Sequence, residues 1–147
     1  MLWLRKSKKG FTLIELMVVV AIIGVLSLLG LRLYTGQQEK AKNAIVKANA
    51  GTIQTLIQAE LADETVSDVW TLVGNTGADS TLIENAGIHN PFLGAKQTKN
   101  GTADSDGSTA GTAHGEVYVT KSGDVFYING CQADGSDVYG THLEARK

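Results

Sequence analysis

Residues 11–31, FTLIELMVVVAIIGVLSLLGL, form an apolar run of 21 residues whose one charge is Glu15. At a helical rise of about 1.5 Å per residue the run spans about 31 Å, the thickness of a bilayer core. The protein is therefore expected to start its life in a membrane. Arg5, Lys6, Lys8 and Lys9 precede the run and Arg32 follows it, which favours a cytoplasmic N-terminus. A cleaved secretory signal has a shorter apolar stretch of about 7 to 15 residues and a small-x-small site. Here the run is too long, and Leu28-Leu29-Gly30 is a poor site. Length alone is equally satisfied by a plain membrane anchor. Glu15 is what sets this run apart, because a carboxylate that deep in apolar sequence marks a functional site by default.

The residues around it are Lys8-Lys9-Gly10-Phe11-Thr12-Leu13-Ile14-Glu15-Leu16. This stretch resembles the type III signal of type IV pilins and their pseudopilin relatives. The resemblance covers residues 5–35: a basic leader, Gly, an aromatic, Glu five residues past the Gly, then an unbroken apolar helix. It implies that a membrane-embedded prepilin peptidase cuts between Gly10 and Phe11 on the cytoplasmic side, and that Phe11 becomes N-methylated. Gly10 lets a protease approach the backbone closely, and a cut ahead of the apolar run keeps that run in the mature protein. The mature chain would have 137 of the 147 residues. Without the four leader cations, nine basic side chains would face fifteen acidic ones. That balance argues against direct nucleic-acid binding. Cleavage would also create an amine at Phe11 in the same apolar layer as Glu15. Pairing that amine with Glu15 of a neighbouring subunit relieves two costly charges at once, so Glu15 is expected to set subunit register in a filament.

The fold expected is α+β. A long N-terminal α-helix, as in a lollipop-shaped pilin, packs its C-terminal half on a small antiparallel β-sheet. The organisation is a leader (1–10), a transmembrane and filament-core helix (11–33), the amphipathic half of the same helix (34–62) and a globular head (63–147). In the amphipathic half, Ala41, Ala44, Ile45, Ala48, Thr52, Leu56 and Ala59 recur at spacings of three and four. Ile53, Ile57 and Leu61 widen that stripe, and Glu39, Lys40, Lys42, Asn43, Lys47 and Gln54 take the opposite face. Many type IV pilins carry a Pro about twenty residues into the mature helix. This chain has Arg32 there, and Gly24, Gly30 and Gly36 are its weak points, at about 1 kcal/mol each against Ala.

Beyond Ala62, Val66–Val73 is a short apolar patch holding Trp70, and Asn75-Thr76-Gly77 is a turn signal. Thr81-x-x-Glu84 with Gly87 predicts a short capped helix over 81–86. Asn90-Pro91 predicts a turn with Phe92 anchoring into the core. Residues 94–115 contain none of the large apolar or aromatic types and read as a long surface loop. Asp104-Ser105-Asp106-Gly107 has the flavour of a calcium loop but fails the EF-hand spacing. Asn100-Gly101-Thr102 matches a short, common glycosylation pattern. Residues 116–131 predict a hairpin turning at Lys121-Ser122-Gly123-Asp124, with a further strand at 137–143.

Enzyme chemistry has little support. His89, His114 and His142 fall in different loops, no Gly-rich loop opens a helix, and neither a metal nor a cofactor is called for. One Cys, Cys131, excludes an intramolecular disulfide, so the C-terminal region is expected to be held by packing alone. Only Phe11 and Tyr34 of the nine aromatics lie in the mature helix, too few for a conducting ladder. The resemblance thus implies a major structural subunit of a type IV pilus-like filament, a homo-oligomer built by pilus assembly machinery. Its expected route runs from the inner membrane to the cell surface, for adhesion, motility or DNA uptake. The alternative is a type II secretion or competence pseudopilin.

Overall fold

The computed structural model describes residues 10–74, 78–101 and 114–147. It divides into two compact units, one up to Gln38 and one from Glu39 onward. Helix α1 (Leu13–Asp63) enters both. In the first unit α1 is unbroken through Gly24, Gly30 and Gly36. Its large apolar side chains from Leu13 to Leu33 stay between 47% and 76% exposed. This segment is long and apolar enough to cross a membrane.

In the second unit α1 buries Val46, Ala50, Ile53, Ile57 and Leu61. Their spacings of four and three place them on one helical face. The expected stripe is rotated from this face. Ile53, Ile57 and Leu61 are inside as anticipated, but Ala41, Ala44, Ile45, Ala48, Thr52 and Ala59 are exposed and Leu56 is half-buried. Two residues assigned to the solvent face point inward instead. The Asn43 amide donates to Gln132 Oε1 (3.1 Å) and accepts from Ala133 N, and Gln54 donates to the Glu144 carbonyl at 2.8 Å. Alanines make a periodic stripe but offer little surface to bury, so the larger Val and Ile decide which face turns in.

The short apolar patch Val66–Val73 is a helix, α2. Thr65 caps it, its hydroxyl oxygen accepting from Asp68 N. Helix α3 (Thr81–Ala86) lies where expected and ends on Gly87 in the left-handed region, but its cap is Ser80, not Thr81. The Ser80 hydroxyl accepts from Ile83 N at 3.2 Å, while the Thr81 hydroxyl donates to the Leu72 carbonyl. Trp70 of α2 packs on Phe126, ring centres 6.1 Å apart.

Strands β1 (Val117–Ser122), β2 (Val125–Gly130) and β3 (Leu143–Arg146) form an antiparallel sheet in the order β1-β2-β3. Ser122 pairs with Val125, so the turn is the two-residue Gly123-Asp124 rather than four residues, with Gly123 at φ 60°. The third strand begins at Leu143, later than the 137–143 anticipated. Asp137 makes only an isolated bridge to Cys131. Asn129 explains the delay: its side chain accepts from Tyr139 N and donates to Tyr139 O, taking the place of a strand partner. Val117, Val119, Phe126, Ile128 and Ala145 of the sheet share one core with Ala50, Ile53, Ile57 and Leu61 of α1. At Gly130 the backbone comes so close to Val46 that a Cβ would collide with its Cγ1.

The outer edge of β1 is sealed by side chains. Gln97 accepts from Val117 N at 2.9 Å and donates to Val117 O at 2.6 Å. Asn100 accepts from Val119 N at 2.8 Å and donates to Val119 O at 2.9 Å. Two amides thus mimic an extra strand and block the edge pairing to which bare strands are prone. The opening of the expected surface loop is therefore buried at Gln97 and Asn100. The remainder of that loop, including the calcium-like Asp104–Gly107 stretch, lies outside the described residues, as does Asn75-Thr76-Gly77.

Candidate functional site

Gly10, Phe11 and Thr12 precede the helix in non-helical conformation. Phe11 is 86% exposed, and a Cβ on Gly10 would meet nothing within 4 Å. Nothing inside the described chain requires glycine there.

Thr12 and Glu15 close on each other. The Glu15 Oε2 atom accepts from Thr12 N at 3.0 Å and from the Thr12 hydroxyl at 2.8 Å. The Thr12 hydroxyl oxygen lies 3.4 Å from Glu15 N and accepts from it. Leu16 N donates to Thr12 O, which makes Thr12 the cap and Glu15 the third helical residue. This is a capping box, in which two backbone donors at the helix start are satisfied reciprocally. The same spacing, Thr12-x-x-Glu15, stands in the sequence as it does at Thr81-x-x-Glu84. Among the described residues, none donates to Glu15 Oε1. A carboxylate has roughly four acceptor positions, so the box leaves room for a further cation.

The other candidates of the sequence are scattered or structural. Asn100 is fully buried, and its Nδ2 donates to Gly74 O as well as Val119 O, so the acceptor nitrogen of the glycosylation pattern is inaccessible. Phe92 is half-buried and outside the core; Lys42 Nζ sits 5.1 Å over its ring. His89 Nδ1 lies 2.9 Å from the Gly87 carbonyl and His114 Nδ1 lies 3.3 Å from that of Gln132. His142 meets the Tyr118 hydroxyl at 3.4 Å, and that hydroxyl donates to Asp137 Oδ1 at 2.7 Å.

Burial, reinforced by Asp137, pushes the Tyr118 phenol well above its ordinary value. It keeps its proton and acts as a tether rather than a nucleophile. The C-terminal region is accordingly held by hydrogen bonds as well as packing: Tyr118 to Asp137, Gln132 Nε2 to Asp137 O, and the Tyr139 hydroxyl to Lys47 O. Cys131 is buried beside this network. Hydrogen bonds from Ser136 hold the Asp134 carboxyl below its usual range, and burial raises that of Glu116. Among the described residues no cluster of three His, Cys, Asp or Glu is placed to hold a metal ion.

Comparison with known proteins bears on this N-terminal geometry. Residues 5–31 match the prokaryotic N-terminal methylation motif. The type IV major fimbrial protein FimA of Dichelobacter nodosus is 33% identical over 93 residues, 58% of each chain. The fimbrial protein EcpB of Eikenella corrodens is 36% identical over 94 residues, 64% of this chain and 55% of the relative. The chain thus spans little more than half the length of these two relatives. It spans 88% of fimbrial protein Q of Moraxella bovis, at 30% identity over 142 residues, which are also 88% of this chain. No solved structure matches the chain significantly. With the methylation motif at the head of an exposed apolar helix, a small antiparallel sheet in the C-terminal part and a fimbrial relative along nearly its whole length, the chain belongs to the type IV pilin family.

Proposed function

We propose that this chain is the major structural subunit of a type IV pilus-like surface filament and has no enzymatic role. Prepilin peptidase removes residues 1–10 at the Gly10–Phe11 bond, Phe11 is N-methylated, and the precursor waits in the inner membrane through residues 11–33. Pilus machinery then stacks copies into a homo-oligomeric filament, with the head from residue 63 outward and no direct contact with nucleic acid.

The observation that carries this reading is the exposure of every large apolar side chain from Leu13 to Leu33. A surface of that size and chemistry needs lipid before assembly and other copies afterwards. Three local features support the finer steps. The Gly10–Phe11 bond lies ahead of the helix cap, where a protease can bind extended backbone. Among the described residues nothing crowds Gly10, so this fold does not itself call for glycine there, which fits close approach by a peptidase. Glu15 keeps one oxygen outside the capping box, available to the amine that cleavage creates on a neighbouring copy. The fimbrial names of the relatives favour a pilus over a secretion or competence pseudopilus.

Glu15→Gln tests the role of the charge apart from the cap. The amide oxygen of Gln still accepts from Thr12, so the helix start is preserved, but the partner amine loses its counter-charge. The variant is expected to be cleaved and membrane-inserted and to yield few or no filaments in sheared surface material. Wild-type filament yield from Glu15→Gln would remove Glu15 from assembly.

A further inference from the structure

Leu93 is 72% exposed at the Asn90-Pro91-Phe92 corner of the second unit. The corner is braced. Asn90 Oδ1 accepts from Phe92 N at 2.8 Å and Leu93 N at 3.2 Å, Gly94 N donates back to Asn90 O, and Asn90 Nδ2 donates to His114 O at 2.7 Å. A mobile loop could fold such a side chain away; this one holds it in solvent. Elsewhere on the same unit α1, α2 and α3 enclose a groove of about 350 Å³, floored by Leu56, Leu72, Leu82 and Ala86, with Glu60 among its lining residues.

The charges around the two features are opposite. Lys42, over the Phe92 ring, and Lys96, bridged to His89, flank the corner. Glu60 lines the groove, and Glu84 lies on α3, the helix that supplies one of its walls. The ion pairs among the described residues are Lys99 with Asp79 and Arg146 with Glu144, so none of these four charges is neutralised within the described chain.

We propose that the Leu93 corner of one copy seats in the α1–α2–α3 groove of the next, with Lys42 and Lys96 facing Glu60 and Glu84. Corner and groove are different surfaces of one unit. The contact is therefore heterologous, the type from which an open helical filament is built, and not the self-complementary patch of a two-fold dimer. It rests on the filament function above and adds a head-to-head contact to the packing of apolar helices.

Two measurements on sheared filaments test it. Leu93→Cys is combined with Leu56→Cys, and separately with Ala86→Cys, in the full chain, and the filaments are oxidised. A ladder of covalent multimers on non-reducing gels is expected from each pair and not from the single substitutions. Unsubstituted filaments are also treated with a zero-length carboxyl–amine cross-linker. Mass spectrometry should find Lys96 or Lys42 joined to Glu60 or Glu84, links absent from the detergent-dissolved monomer. Well-formed filaments giving neither the ladder nor these links would overturn the contact while leaving the filament function standing. An unsubstituted chain that forms no filaments would overturn both.

Discussion

Replacing Asn100 by Ala removes three hydrogen bonds at a site water does not reach. Asn100 is fully buried, and its amide serves Val119 N, Val119 O and Gly74 O at 2.8, 2.9 and 3.0 Å. Deleting it strands the outward N–H and C=O of Val119 on the edge strand and the Gly74 carbonyl that follows α2. A buried polar group left without a partner costs about 1–3 kcal/mol. Relaxation lets one of the three find another partner, so the two that remain should cost about 2–6 kcal/mol together. That is a large share of a domain stability of about 5–15 kcal/mol, and it should lower the melting temperature by about 10 °C. The assay is thermal unfolding of the detergent-solubilised full chain followed by circular dichroism, with hydrogen exchange at the Val119 amide as the local readout. Asn100→Asp should do no better, because a carboxylate still accepts from Val119 N but faces two carbonyls to which it cannot donate. If Asn100→Ala melts within about 0.5 kcal/mol of the unsubstituted chain, with Val119 exchange unchanged, then the amide does not seal the β1 edge.

Other perturbations follow from single contacts. Gly130→Ala drives a Cβ into Val46 Cγ1, and separating helix from sheet to admit it should cost about 1–3 kcal/mol in the same melt; an unchanged melting temperature would mean that the helix–sheet spacing yields freely. Because the folded state raises the Tyr118 pKa, it holds that proton more tightly than the unfolded chain does. Stability from this group is therefore complete below about pH 10 and declines as pH climbs above it. Tyr118→Phe should remove that part of the alkaline loss while weakening the chain at neutral pH by about 1 kcal/mol, and an alkaline profile identical to the unsubstituted one would contradict the tether. Glu15→Ala, which loses the Glu15 half of the capping box as well as the charge, should assemble no better than Glu15→Gln and should also fray the helix start, seen as faster exchange at the Thr12 amide; equal exchange in the two variants would argue against the capping box.

The parts of this molecule legible in its sequence are those with a strong local cause. The long helix, its apolar first half, the hairpin and the Gly87 cap each follow from residues close in sequence. The misreadings share a different cause. The buried face of α1 is not legible locally because two stripes at helical spacing compete there, one of alanines and one of Val46, Ala50, Ile53, Ile57 and Leu61, and the choice is made by a sheet some seventy residues further on. Asn43 and Gln54 looked like solvent residues because their partners at Gln132 and Glu144 are equally remote. Gln97 and Asn100 sit in a segment without large apolar residues, and composition cannot reveal that an amide side chain will stand in for a strand. The capping box was a local signal passed over: Thr12 and Glu15 carry it in four residues. Their pairing gives a carboxylate at the head of an apolar run hydrogen bonds within its own chain.

The most direct test of the central claim is the intact mass and N-terminal sequence of the subunit in sheared surface filaments. If the ten leading residues are removed as proposed, leaving an amine at Phe11 to pair with Glu15, the subunit should be a 137-residue chain beginning at N-methylated Phe11. Filaments built from chains that still carry Met1–Gly10 would contradict it.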